Sequence, residues 1–142
     1  MTLQGGWLGN VKSVMDSPIR LLLVDDEARV RQGLRMCMSG EPDFDVVGEA
    51  EEGSAAVSLA SSLHPDVVVL DLRMRGLDGL AAAKELALTE PSSRVVILSL
   101  QDDSGTRREA IASGASAFVG KQEGIARLFE VIRSVAGRAE AS

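Results

Sequence analysis

The sequence predicts an α/β fold with one parallel β-sheet of five strands and helices packed on both faces. Along residues 19–138, short aliphatic runs alternate five times with segments of helical periodicity. Such alternation is typical of parallel strands joined by right-handed crossover helices. The run at 67–70 is three valines and a leucine, the composition of a strand buried on both faces.

The elements follow one another with short connections. The strands are predicted at 19–24, 44–48, 67–70, 94–98 and 117–119, and the helices at 27–39, 53–63, 78–89, 104–113 and 124–137. Breakers support several boundaries. His64-Pro65 ends the second helix, Pro91 follows the third, and Gly114 follows the fourth as a C′ glycine.

Composition narrows the class of function. The chain has 142 residues, 45% of them hydrophobic, and a net charge of −6. It shows no basic stripe of the kind that nucleic-acid binders carry, so we expect no direct DNA binding by this chain. No apolar run approaches 18 residues and no signal peptide is visible, so we expect no membrane span.

The single cysteine, Cys37, shares a helical apolar spacing with Val30, Leu34 and Met38. This spacing predicts a small buried side chain. A lone thiol forms no internal disulfide, which fits a reducing, cytoplasmic setting.

Residues 1–18 differ from the rest, and we interpret them as an N-terminal extension, with residues 139–142 as a C-terminal tail. Glycines interrupt the extension, yet Leu3, Trp7, Val11 and Met15 recur every four residues. Two interpretations stay open: an unstructured extension, or a segment that docks Trp7 on its own domain or on a partner.

Polar residues stand where the predicted strands end. Asp25 and Asp26 follow the first strand, Asp71 the third, Ser99 the fourth, and Lys121 the fifth. In open parallel sheets, ligands bind beyond the carboxyl ends of the strands, so we expect these residues to meet at one edge. Taken singly, each has a simpler interpretation, such as a helix cap, a turn residue or a solvated lysine.

Together the residues indicate phosphoryl chemistry. Three carboxylates at one edge repel each other unless a cation lies among them, and Mg²⁺ prefers such oxygen ligands. A carboxylate beside Mg²⁺ can attack a phosphoryl group and form an aspartyl phosphate. Lys121 supplies a point charge and Ser99 a hydroxyl donor for the phosphoryl oxygens.

Five motifs occur in order: Leu-Leu-Val-Asp-Asp at 22–26, Leu-Asp-Leu-Arg-Met at 70–74, Leu-Asp-Gly at 77–79, Leu-Ser at 98–99 and Gly-Ala-Ser-Ala-Phe-Val-Gly-Lys at 114–121. With them, residues 19–138 resemble the CheY-like response-regulator receiver family of two-component signalling, and most of all its NarL/FixJ subfamily. The resemblance implies a flavodoxin-like sheet with strand order 2-1-3-4-5 and five helices.

The resemblance also implies the metal site. It makes Asp71 the phosphoacceptor and Asp26 a direct Mg²⁺ ligand. Asp71 and the backbone carbonyl of Arg73 complete the direct ligands, and Asp25 acts through a metal-bound water.

For the phosphoryl group, the resemblance implies binding by Ser99 and Lys121, with Ser99 and Phe118 as the switch pair. It implies a sensor histidine kinase, or a small acyl phosphate, as donor. The chain then acts as a phosphoacceptor that assists its own phosphorylation and dephosphorylation, not as a turnover enzyme. A homodimer or a downstream effector domain is the expected recipient of the signal.

Three residues depart from the family pattern. Arg75 replaces the usual proline, Arg73 places a long side chain over the site, and Leu100 is bulky where a small residue is common. They keep open a second interpretation, a pseudo-receiver that works as a phosphorylation-independent interaction module. A haloacid-dehalogenase-type phosphatase fits poorly, because Arg73 stands where its acid/base aspartate is needed.

Overall fold

The computed structural model describes residues 17–73 and 78–138. The predictions for residues 1–16, for Arg75 and the rest of 74–77, and for 139–142 lie outside the described residues.

The sheet has five parallel strands, β1 to β5, in the order β2-β1-β3-β4-β5. Their bounds are Ile19–Val24, Phe44–Ala50, Val67–Leu70, Arg94–Ser99 and Ala117–Gly120. The predicted fold class and strand order are confirmed. All four residues of β3 are buried, because helices cover both faces of this central strand.

Five helices, α1 to α5, connect and follow the strands at Ala28–Met38, Gly53–Leu63, Gly79–Thr89, Ser104–Ala112 and Ile125–Val135. A 3₁₀ turn, Lys121–Glu123, precedes α5. Gly114 follows α4 with φ +108°, as a C′ glycine does. A Cβ there would lie 2.8 Å from the Cβ of Ala87, so the position favours glycine for both reasons.

The two faces of the sheet carry different cores. Strand residues alternate between them, as the two-residue period of a strand requires. The face under α1 and α5 holds large side chains, among them Met38, Leu128 and Phe129. The face under α2, α3 and α4 is rich in alanine.

The prediction that Cys37 is buried is wrong, since its side chain is exposed. Helix α1 buries Met38 completely and Leu34 in part. Cys37 precedes Met38 by one residue and therefore lies about 100° around the helix from it, at the edge of the buried stripe. Within residues 17–73 and 78–138, no helix is long and apolar enough to cross a membrane.

Candidate functional site

Hydrogen bonds beyond the strand ends set the acidic residues side by side. The backbone N–H of Asp71 donates to the carbonyl of Val24 at 2.9 Å, and that of Asp25 donates to the carbonyl of Ala50 at 3.1 Å. The parallel pairing thus continues one residue past β1 and β3. As a result, Asp25, Asp26 and Asp71 present carboxylate oxygens within 4.8 Å of one another, as the sequence predicted.

Asp25 is the most enclosed of the three carboxylates, with 4% of its surface exposed. One oxygen, Oδ1, accepts from the backbone N–H of Glu27 at 2.9 Å. The other, Oδ2, lies 3.4 Å from Nζ of Lys121. Lys121 therefore reaches the acidic cluster from the end of β5, and it offsets part of the cluster's negative charge.

Burial and the neighbouring carboxylates raise the pKa of the Asp71 carboxyl to about 6. Burial contributes most, followed by the charge of Asp25, with a smaller contribution from Asp26. Lys121 and the backbone N–H of Arg73, 3.3 Å from Oδ1, act in the opposite direction. Three carboxylates this close together offer only oxygen atoms as ligands, and one lysine offsets only part of their charge. Such a site suits a hard divalent cation such as Mg²⁺.

A cleft of about 400 Å³ opens over Asp71. Its lining brings together residues from the ends of β1, β3, β4 and β5: Asp26, Glu27, Asp71, Arg73, Ser99, Leu100, Gln101 and Lys121. The hydroxyl of Ser99, which is buried, accepts from the backbone N–H of Gln101 at 3.1 Å. The structure therefore places Ser99 and Lys121 in the same cleft as Asp71.

The side chains of Arg73, Leu100 and Gln101 form part of the rim of this cleft. The guanidinium of Arg73 donates to Oε1 of Gln101 at 2.7 Å, so the rim is bridged from the end of β3 to the loop after β4. Leu100 is 74% exposed beside it. The sequence pointed to Arg73 and Leu100 but missed Gln101, because nothing in its spacing marks it as the partner of Arg73.

Phe118 lies outside the cleft. In the parallel pairing of β4 with β5, Phe118 is opposite Ile97 and Gly120 is opposite Ser99. Phe118 and Ser99 consequently lie on the same face of the sheet, two residues apart along the strands. The ring is partly buried and packs against the alanine-rich core.

A side-chain network that sequence reasoning missed covers the ring of Phe118. The guanidinium of Arg107 lies 4.7 Å from the ring centroid, a cation–π distance. Arg107 also donates to Glu123 at 2.8 Å and to the carbonyl of Asp102 at 3.2 Å. These contacts bridge the loop after β4 and the turn after β5, and only the three-dimensional fold brings those partners together.

The order of the strands and the acidic residues at their carboxyl ends are the features that the resemblance to the receiver family implied. The family model described as the response regulator receiver domain matches residues 21–133. The chain belongs to that family.

Several relatives are regulators of transcription. The chain is 36% identical over 116 residues to the transcriptional regulatory protein LiaR of Bacillus subtilis, covering 82% of this chain and 55% of that protein. It is 41% identical over 118 residues to a protein-glutamate methylesterase/protein-glutamine glutaminase of Myxococcus xanthus, covering 81% of this chain and 34% of that enzyme. The chain thus spans about half the length of LiaR and a third of the enzyme.

A solved structure shows the same fold. The signal receiver domain of the putative response regulator NarL from Mycobacterium tuberculosis superposes with a TM-score of 0.80 at 31% identity, covering 84% of this chain and 97% of that one. The predicted family is confirmed, and relatives of the NarL type support the predicted subfamily.

Proposed function

We propose that this chain is a phosphorylatable receiver that accepts a phosphoryl group on Asp71 from a sensor histidine kinase or a small acyl phosphate. The receiver occupies residues 19–138, and phosphorylation changes a protein-interaction surface. The observation that carries the proposal is the placement of Asp71. Its carboxyl faces an open cleft, beside two further carboxylates and within the same lining as Ser99 and Lys121.

In this proposal Mg²⁺ would be held directly by Asp26, Asp71 and the backbone carbonyl of Arg73, and through water by Asp25. Bound there, the ion would relieve the mutual repulsion of the carboxylates and draw charge from the phosphoryl oxygens. The nearly buried Asp25 suits a role through water, because the Glu27 amide and Lys121 already bind its oxygens.

The chemical step is a displacement at phosphorus. A carboxylate oxygen of Asp71 forms the new P–O bond while the P–N bond of a phosphohistidine, or the P–O bond of an acyl phosphate, breaks. The leaving imidazole or carboxylate keeps the electron pair of that bond. Lys121 and Ser99 provide cationic and hydroxyl contacts for the equatorial oxygens, which is the main assistance that phosphoryl transfer needs.

Phosphorylation of Asp71 changes the packing of neighbouring side chains, and through them the outer surface. A phosphoryl group brings about −1.5 to −2 charge with strong acceptor oxygens, and it draws the hydroxyl of Ser99 away from the Gln101 amide. The space beside Ser99 then admits the ring of Phe118, and the outer surface of α4, β5 and α5 changes. The competing account is that Phe118 is a fixed core residue.

Membership of the receiver family supports a proposal about the biological setting. We propose a cytoplasmic receiver that signals through a homodimer or an effector domain and does not bind DNA itself. The methylesterase relative is an enzyme, but the chain covers only 34% of it. For this chain we propose a phosphoacceptor role without turnover of an external substrate.

Mass spectrometry of the intact protein after incubation with acetyl phosphate and Mg²⁺ tests the proposal. We expect one phosphoryl adduct in the parent protein and none in Asp71→Asn. Asp45→Asn is the matched control, because Asp45 is an exposed carboxylate on β2, and it should retain the adduct. An adduct of equal yield in Asp71→Asn would contradict the assignment.

One observation favours the pseudo-receiver as a second candidate. The Arg73–Gln101 bridge and the exposed Leu100 side chain stand at the rim through which a donor must pass. Beryllofluoride, a small mimic of the phosphoryl group, separates the candidates. A receiver binds it with Mg²⁺ at Asp71, whereas a pseudo-receiver that does not use this site leaves it unbound.

A further inference from the structure

The acidic turn between β1 and α1 is tied to the neighbouring strand by one arginine, Arg31 of α1. Its guanidinium donates to the backbone carbonyl of Asp25 at 2.6 Å through one nitrogen and to Oε1 of Glu49 at 3.0 Å through another. Glu49 lies in β2, next to β1. The side chain of Arg31 is only 16% exposed, so solvent competes weakly for these contacts.

The carbonyl that Arg31 holds belongs to the peptide unit joining Asp25 and Asp26. Because that unit is planar, fixing its carbonyl restricts the backbone rotation on both sides, and with it the direction of both carboxylates. Asp25 has further restraints through the amide of Glu27 and through Lys121. Within the described residues, Asp26 makes no hydrogen bond of its own, so its direction depends on the peptide units on either side of it. Arg31 holds the unit before Asp26, and the amide of the unit after it donates to Asp25.

We propose that Arg31 is a positioning residue for the metal site: it holds the peptide between Asp25 and Asp26 so that both carboxylates face Asp71. This inference rests on the proposed Mg²⁺-dependent function. Partners of metal ligands in other proteins typically change metal affinity by about 10- to 100-fold when they are removed.

The direction in which Mg²⁺ affinity changes on substitution distinguishes a positioning role of Arg31 from a purely electrostatic one. A guanidinium near a cation site repels the cation, so removing its charge alone should tighten Mg²⁺ binding. Removing a positioning contact should weaken Mg²⁺ binding, because Asp26 and Asp25 then sample directions that miss the ion. The two accounts therefore predict opposite signs for the same substitution.

The test is a calorimetric Mg²⁺ titration of the parent protein, Arg31→Met and Arg35→Met. Arg35 is the matched control, since it pairs with the other oxygen of Glu49 but does not contact Asp25. We expect Arg31→Met to raise the dissociation constant about tenfold and Arg35→Met to leave it within about twofold. Thermal unfolding without metal establishes that each variant is folded. Should Arg31→Met fail to fold, Arg31→Lys keeps the charge but has no planar fork to bridge both partners, and it should weaken binding as well.

An unchanged or tighter Mg²⁺ affinity in folded Arg31→Met overturns the proposal, as does equal weakening in Arg35→Met.

A second readout needs no metal. Losing the Arg31 contact should speed hydrogen exchange of the Glu27 amide, which donates to Asp25, and Arg35→Met should not. If the parent protein binds no Mg²⁺, the proposed function fails, and the inference toward the metal fails with it. The amide exchange still reports whether Arg31 orders the turn.

Discussion

The acidic cleft and the surface around Phe118 lie at the same end of the sheet but are built in different ways. In the cleft, backbone hydrogen bonds at the ends of β1 and β3 place Asp25 and Asp71 side by side. Around Phe118, a side-chain network from Arg107 to Glu123 and the Asp102 carbonyl covers the ring. Topology therefore determines the position of the acidic residues, whereas side-chain packing determines the conformation of the Phe118 surface.

Because of this difference, the chemistry of the site and the response of the surface should depend on different residues. A site fixed by strand ends stays in place when surface side chains change, so its chemistry depends on few residues. A ring held by an exposed ionic network can be released by small changes in that network. We therefore expect substitutions of the acidic residues in the cleft to remove metal binding or phosphorylation, and substitutions around Phe118 to alter only the response.

The largest effect should come from the metal ligands themselves. Asp26→Ala removes a direct carboxylate from a site with few ligands and should abolish measurable Mg²⁺ binding. Asp25→Ala should weaken binding less, by about tenfold, because its proposed role is through water. Calorimetry measures both dissociation constants. Equal loss in the two variants would contradict the division between direct and water-mediated ligands.

The next effect concerns Arg107. Arg107→Met removes the guanidinium over Phe118 and its bonds to Glu123 and Asp102, so the ring should turn inward more readily. We expect amide chemical shifts across 104–135 to move part of the way toward the beryllofluoride-bound positions without any ligand. Arg108→Met is the control, because Arg108 is exposed and adjacent. Identical spectra for Arg107→Met and Arg108→Met, apart from local changes, would show that the network does not restrain the ring.

A smaller effect is expected at the rim of the cleft. Arg73→Ala removes the bridge to Gln101 and widens access to Asp71, so phosphorylation by acetyl phosphate should become several-fold faster. The rate is followed by intact mass at fixed Mg²⁺. Lys84→Ala, at an exposed position of α3, serves as the control for loss of a surface cation. A slower reaction in Arg73→Ala would instead assign Arg73 a role in binding the donor.

The smallest effect is on stability. The folded-state pKa of Asp71 is raised to about 6 from the ordinary 3.8, so the folded state binds more protons than the unfolded state between about pH 4 and 6. Without metal, the contribution of Asp71 to stability therefore falls as pH rises through this window. Asp71→Asn should be more stable than the parent protein at pH 7, by about 1 kcal/mol once partial exposure to solvent is allowed for.

Urea unfolding of both proteins at pH 7 and near pH 4 measures this difference. The advantage of Asp71→Asn should shrink at the lower pH, because the parent protein then carries a neutral carboxyl at the same position. Saturating Mg²⁺ at pH 7 should remove the advantage as well. A parent protein that is equally or more stable at pH 7 without metal would show that burial and the neighbouring carboxylates do not destabilise the ionised carboxyl of Asp71.

Most of the fold could be predicted from the sequence because strand and helix periodicities differ sharply along it. The helix bounds match to within about two residues, and the largest strand difference is two residues, at the end of β2. The site residues followed from a simple rule, since Asp25, Asp71 and Ser99 directly follow or end strands. The prediction for Cys37 was wrong because helical spacing indicates which side of a helix is buried but does not show how wide the buried stripe is.

The contacts of Arg31 and Arg107 could not be predicted in the same way. Arg31 contacts Glu49, 18 residues further along the chain, and Arg107 contacts Glu123, 16 residues further along. Long flexible side chains can choose among several carboxylates, and sequence spacing does not say which one the fold presents. Such pairs become visible only when strand register and helix rotation are known.

The central claim is that a phosphoryl group in the cleft acts through Ser99 to change the conformation of Phe118 and the outer surface of α4, β5 and α5. The most direct test records amide spectra of the parent protein and Ser99→Ala with Mg²⁺, with and without saturating beryllofluoride. We predict that the parent protein shows shifts both at Asp71 and across 104–135, together with a changed χ1 of Phe118. Ser99→Ala should show only the shifts around Asp71. The claim is contradicted if the saturated parent protein responds only at residues that touch Asp71, or if Ser99→Ala responds as the parent does.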